Sequence, residues 1–106
     1  MKIFISQPMI GKSEREIVTE RTMIINKLSE RYSEFDILES YFPEIDSENT
    51  MNTRSKAIKH LAMSINLLAE ADLVVFLYGW NISRGCRMEE IIANTYGIDC
   101  LYLTGW

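Results

Sequence analysis

Short apolar runs with strand character alternate along this chain with longer segments whose apolar residues recur at helical spacing. That alternation restricts the fold more than any other feature of the sequence. Lys2 to Ser6 reads as a first strand. Ser13-Glu14-Arg15-Glu16 forms a capping box and opens a helix with Ile17, Ile24 and Leu28 on one face. Phe35 to Glu39 is a second strand, and after a polar connection Ile58, Leu61, Ala62, Ile65 and Leu68 mark a second helix over roughly Thr53 to Glu70. Ala71-Asp72 turns the chain into the apolar run Leu73 to Leu77, rich in Val and Phe and too short for a buried helix. A third helix is expected from about Arg87 to Tyr96, stopped by Gly97, and Cys100 to Leu103 supplies a fourth strand. The order β-α-β-α-β-α-β predicts an α/β fold: a parallel sheet of about four strands, right-handed crossovers, and helices on both faces.

A chain of 106 residues, 47% hydrophobic and 25% charged, has room for one globular domain with a modest core. The net charge of -4 and pI near 5.0 leave no basic stripe, so a nucleic acid polymer is not expected as a partner, while a nucleotide monomer remains open. The first residues run straight into a strand pattern without a signal-peptide layout. No apolar run approaches the roughly 20 residues of a membrane span, so no membrane association and a cytoplasmic location are expected. Cys86, Cys100 and His60 show no metal-ligand spacing, so neither a metal nor another cofactor is expected. Cys86 reads as a small packing residue, with a reactive thiol at a helix start as the alternative. Tyr41, Phe42, Trp80, Tyr102 and Trp106 exceed what a small four-stranded domain readily hides, so a homo-oligomer, at least a dimer, is expected.

Three loops at the carboxyl ends of the strands carry candidate chemistry, because ligands of open parallel sheets bind there. The first, Tyr78 to Glu89, contains Trp80, Ser83 and Gly85, and Gly85 allows close approach of the backbone to a ligand. Glu89 is expected in the first turn of the third helix, where unpaired amides and the helix dipole favour an ionised carboxylate suited to a nucleophile or electrostatic stabiliser. On spacing alone, the plainer account, that Glu89 only complements the helix N-terminus, has the stronger claim. The second loop, Ser6 to Ser13, offers Gly11 and Lys12 for an anionic group but lacks P-loop spacing, and an ordinary connection capped by Ser13 is the plainer account. In the third, Ser40 to Asn52, Tyr41 and Phe42 are, with Trp80 of the first loop, candidates to stack on a base, although an exposed acidic loop is the duller account.

Ile3-Phe4-Ile5-Ser6-Gln7-Pro8-Met9 with Gly11-Lys12, Glu39-Ser40-Tyr41-Phe42, and Ala71-Asp72 through Gly79-Trp80 to Arg84-Gly85-Cys86-Arg87-Met88-Glu89 with Ala93 and Gly97 resemble small nucleoside 2-deoxyribosyltransferase-like proteins of bacteria and phages. More distantly the chain resembles the nucleoside 2-deoxyribosyltransferases and 2'-deoxynucleoside 5'-monophosphate N-glycosidases. The resemblance spans nearly the whole chain. It implies a flavodoxin-like three-layer sandwich, an oligomer, and a nucleoside or nucleotide as the small-molecule ligand. It also implies that Glu89, flanked by Gly85, Ala93 and Gly97 at the family's spacing, is the nucleophile that attacks the anomeric carbon. Ser83, six residues earlier, matches the phosphate-binding serine of the hydrolases rather than the aspartate of the transferases. Gly11 and Lys12 match their phosphate-binding loop.

Two positions depart from that pattern. Ser64 stands where the enzymes have an aspartate in the helix before the third strand, and Ile3 stands where many have a tyrosine. Glycosyl transfer needs one carboxylate at the oxocarbenium-like centre and an acid for the leaving group, and Glu89 supplies only the first. Glu90, about 100° further around the helix, is a poor substitute. Cleavage of an N-glycosidic bond or deoxyribosyl transfer is the leading functional expectation. A noncatalytic protein that binds a nucleotide metabolite or signal is the alternative, and a purely structural or partner-binding domain a third.

Overall fold

A computed structural model describes residues 1–41 and 53–103. Strands β1 (Lys2–Ser6), β2 (Asp36–Leu38), β3 (Leu73–Phe76) and β4 (Asp99–Tyr102) form one sheet in the order β2-β1-β3-β4, with every pairing parallel. Helices α1 (Glu14–Arg31), α2 (Thr53–Leu68) and α3 (Arg84–Thr95) are the crossovers, and a 3-10 turn at Trp80–Ile82 precedes α3. The flavodoxin-like α/β architecture expected from the sequence is therefore present, with strand ends differing by a residue or so.

Side chains alternate across β1 and β3, and this sorts the core into two layers. Ile3, Ile5, Leu73 and Val75 pack with Ile24 and Leu28 of α1 on one face. Phe4, Val74 and Phe76 pack with Leu68 of α2 and Ala93 of α3 on the other. β1 and β3 are buried along nearly their whole length, as central strands of a doubly covered sheet must be.

Local chemistry sets the helix ends. Ser13 and Glu16 make both bonds of the capping box at the start of α1. At the end of α3, Gly97 has φ +73°, the Ile98 N–H donates to the Ala93 carbonyl at 2.8 Å and the Gly97 N–H to that of Asn94 at 3.4 Å, a Schellman closure. Two expectations need correction. α3 begins at Arg84 rather than Arg87, because the Ser83 side chain accepts the Cys86 N–H and caps the helix three residues earlier. The stripe of α2 that faces the protein runs through Ser64 and Leu68, whereas Ile58 and Ile65 stay exposed. The helix is rolled so that Leu68 reaches Phe4 and Phe76, which brings Ser64, one turn earlier, to the same side.

Candidate functional site

Strand alternation puts Ser6 on the same face as Phe4, toward α2 and α3, and sends the next residue, Gln7, toward α1. Each side chain meets a polar cluster at the carboxyl edge of the sheet.

On the α2–α3 face the centre is Glu89, only 7% exposed. The Ser6 hydroxyl donates to its Oε1 at 2.6 Å, and the buried Ser64 hydroxyl of α2 acts on the same carboxyl. Burial raises the pKa of Glu89 to about 7, against which the two hydroxyls pull downward. Since α3 starts at Arg84, Glu89 lies beyond its first turn, so the expectation of a carboxylate held ionised by the helix terminus is not met. The pKa is governed by desolvation instead. Cys86, one turn before Glu89, is also buried, which pushes its thiol up, while the hydroxyls of Ser6 and Ser83 act in the opposite direction. It is a packing residue rather than a ready thiolate.

The other residues singled out in the sequence fall around this centre or away from it. Ser83 is the N-cap of α3, and Gly85 lies within the helix rather than in a loop, with no atom within 4 Å of where a Cβ would stand. Gly11 is exposed, and the Lys12 ammonium is engaged by both carboxylate oxygens of Glu20 at 2.8 and 2.9 Å. Lys12 still acts electrostatically on Cys86. Trp80 is half-buried and committed to packing: its ring lies 5.4 Å from that of Phe76 and 5.2 Å from that of Tyr102. Gly79, just before it, has φ +91°, a conformation a side chain would strain. Tyr41, half-buried, follows β2, with its N–H donating to Glu39 at 3.3 Å. Phe42 and Trp106 lie outside the described residues. Ile3 is fully buried in the core. Glu90 is turned to the β4 side, where it accepts from the Tyr102 hydroxyl at 2.8 Å and from Asn94, so it is no second acid for Glu89.

On the α1 face lies a cluster that the motifs did not reveal. Arg21 is 6% exposed, and its Nη1 donates to the Ser40 hydroxyl at 3.1 Å and to Gln7 Oε1 at 3.4 Å. Its Nη2 is 3.2 Å from Glu39 Oε1, close enough for an ion pair but without a directed hydrogen bond. Burial lowers the pKa of Arg21, and the Glu39 charge opposes this. The missed signal is positional: Arg21 occupies the core stripe of α1 between Ile17 and Ile24. Ser6 was signalled too, by its place at the carboxyl end of β1 in phase with Phe4.

Among the described residues no group of three or more His, Cys, Asp or Glu side chains is placed to hold a metal ion, and no helix is long and apolar enough to cross a membrane. A surface hollow bordered by Met1, Ser33, Phe35 and Asp36 lies at the opposite, amino-terminal edge of the strands, away from where parallel sheets bind ligands. What the carboxyl edge provides is a buried carboxyl with a near-neutral pKa, surrounded by small hydroxyl groups. Such a group can act as nucleophile when ionised or as hydrogen-bond partner of a ligand hydroxyl.

Comparison with curated proteins and with solved structures finds no match. The chain belongs to the family described as a domain of unknown function, DUF4406, whose profile matches residues 1–102.

Proposed function

We propose that the protein cleaves or transfers the N-glycosidic bond of a nucleoside or nucleotide, with Glu89 as nucleophile. The observation that carries this reading is the Glu89 carboxyl itself: buried at the carboxyl edge of a parallel sheet, bonded to Ser6 at 2.6 Å, and titrating near pH 7. The resemblance to nucleoside 2-deoxyribosyltransferases and deoxynucleoside monophosphate N-glycosidases adds support through Gly85, Glu89, Ala93 and Gly97. In this reading a carboxylate oxygen of Glu89 forms a bond to the anomeric carbon as the bond to the base nitrogen breaks. The departing electron pair stays on the base, which takes a proton from solvent. Water then hydrolyses the glycosyl ester, releasing the sugar, the carboxylate and a proton, or a second base takes the sugar instead. The resemblance assigns Ser83, Gly11 and Lys12 to the 5' group, and residue type alone makes Tyr41 and Phe42 candidates for the base. Because the nucleophile is the ionised form, turnover should rise with pH through about 7.

A noncatalytic nucleotide-binding role is the second reading, favoured by one observation. Among the described residues, the groups that act on the Glu89 carboxyl from neighbouring elements are the hydroxyls of Ser6 and Ser64, not a second acid. Incubation with a panel of deoxynucleosides and their monophosphates, with free base followed by chromatography, separates the two when run beside a thermal-shift screen. Base release that is lost in Glu89→Gln supports the enzyme. Ligand-induced stabilisation without base release from any substrate supports the binder.

A further inference from the structure

We propose that Ser6 and Ser64 are a positioning pair that clamps the Glu89 carboxyl from two sides, fixing its plane and keeping it ionisable inside the protein. This rests on the reading of Glu89 as the reactive group, and it gives a role to Ser6, which no motif singled out, and to Ser64, which the resemblance marked only as a departure. The two hydroxyls come from different elements, Ser6 from the last residue of β1 and Ser64 from the fourth turn of α2, and they are buried at 1% and 6% exposure. A serine at either place has no apolar packing to offer. Phe4 and Leu68, their neighbours on the same stripes, are core residues. A buried hydroxyl is retained where it has a polar partner: Ser6 donates to Glu89 at 2.6 Å, and Ser64 acts on the same carboxyl.

Three elements therefore converge on a single carboxyl. Burial alone would drive it toward the neutral form, and a neutral acid is no nucleophile. The two hydroxyls favour the anion in place of bulk solvent. They also restrict rotation about the terminal side-chain torsion, so the oxygens face one direction.

Among the described residues, charged and titratable groups near the clamp are few. Cys86 on α3 feels Glu89 directly, and Lys12 at the rim acts on Cys86. His60 lies one turn before Ser64 on α2, so its imidazole must be titrated alongside. Glu90 is turned away toward Tyr102. The face of β1 and β3 beneath, formed by Phe4, Val74 and Phe76, is uncharged.

The experiment is a carbon-13 NMR titration of the Glu89 side-chain carboxyl in wild type, Ser6→Ala, Ser64→Ala and Ser64→Thr, with His60 followed in the same samples. The wild-type midpoint is expected near 7. Each alanine variant should raise it by about one pH unit, the loss of one hydrogen bond to a charged group, while Ser64→Thr, which keeps the hydroxyl, should stay near wild type. Unchanged midpoints in both alanine variants, or a shift that tracks His60 alone, would overturn the proposal. A second readout needs no serine variant. The infrared carbonyl stretch of protonated Glu89, isolated by subtracting the Glu89→Gln spectrum, is expected at the lowered frequency of a hydrogen-bonded acid, and the frequency of a free carboxyl contradicts the clamp. Neither measurement uses a substrate. Absence of base release therefore leaves the clamp standing or falling by its own titration, and a flat titration leaves the glycosidic reading to its own assay.

Discussion

Replacing Glu89 by glutamine should stabilise the fold above neutral pH, even though it removes the residue on which the proposed function is built. The folded protein holds a proton on Glu89 up to about pH 7, whereas the unfolded chain releases it near 4.5. Between these values the native state binds more protons than the unfolded state, so wild-type stability falls as pH rises, and above about 7 the loss is complete. The interval from 4.5 to about 7, at about 1.4 kcal/mol per pH unit, amounts to about 3 kcal/mol. Exposure of 7% leaves little room for solvent to screen this. Glutamine keeps the shape, and its carbonyl accepts from Ser6 as Oε1 does, but it never charges. The stability of Glu89→Gln minus that of wild type should therefore be smallest near pH 4.5 and grow by about 3 kcal/mol by pH 8. With a urea slope of about 2 kcal/mol/M, that growth is a midpoint difference of about 1.5 M. Urea unfolding followed by tryptophan fluorescence, for both proteins at several pH values from 4.5 to 8, reads it directly. Taking the difference cancels the other carboxylates. Parallel curves, or a difference that shrinks as pH rises, would refute the reasoning.

Three further outcomes are open to measurement. Ser83→Ala should cost about 1 kcal/mol in urea unfolding through loss of the α3 cap, and it should weaken monophosphate binding in calorimetry while leaving nucleosides unaffected. Arg21→Ala should destabilise by about 2–4 kcal/mol, because it leaves the buried Gln7 and Ser40 without their donor and opens a cavity, and Arg21→Met should recover part of that through packing. Light scattering at micromolar concentration should give at least a dimer, consistent with exposed Ile58, Met88 and Ile91, and a mass near one chain would refute the expectation of an oligomer.

The order and direction of the strands were legible because hydrophobic period distinguishes a buried strand from an amphipathic helix, and Leu73 to Leu77 and the Ile17, Ile24, Leu28 stripe show the two periods clearly. The register of α3 was not. Ser83 looked like a loop residue because Gly85 follows it, yet its hydroxyl caps the helix and carries Gly85 into the first turn. That shift changed the chemistry read for Glu89 from a dipole-stabilised anion to a buried acid. The roll of α2 was hidden for a related reason: Ile58 and Ile65 share a helical period with Leu68, and only tertiary packing determines that Ser64 faces inward. Ser6 and Arg21 escaped notice because polar residues at core positions are defined by partners far along the chain, Glu89 in one case and Ser40 in the other.

The most direct test of Glu89 as nucleophile is peptide mapping by mass spectrometry of the protein quenched in acid during turnover with a deoxynucleoside or its monophosphate. A deoxyribosyl ester should appear on the peptide containing Glu89 in wild type and be absent, together with base release, in Glu89→Gln. Base release at full rate by Glu89→Gln, or an adduct mapped to another residue, would contradict the account.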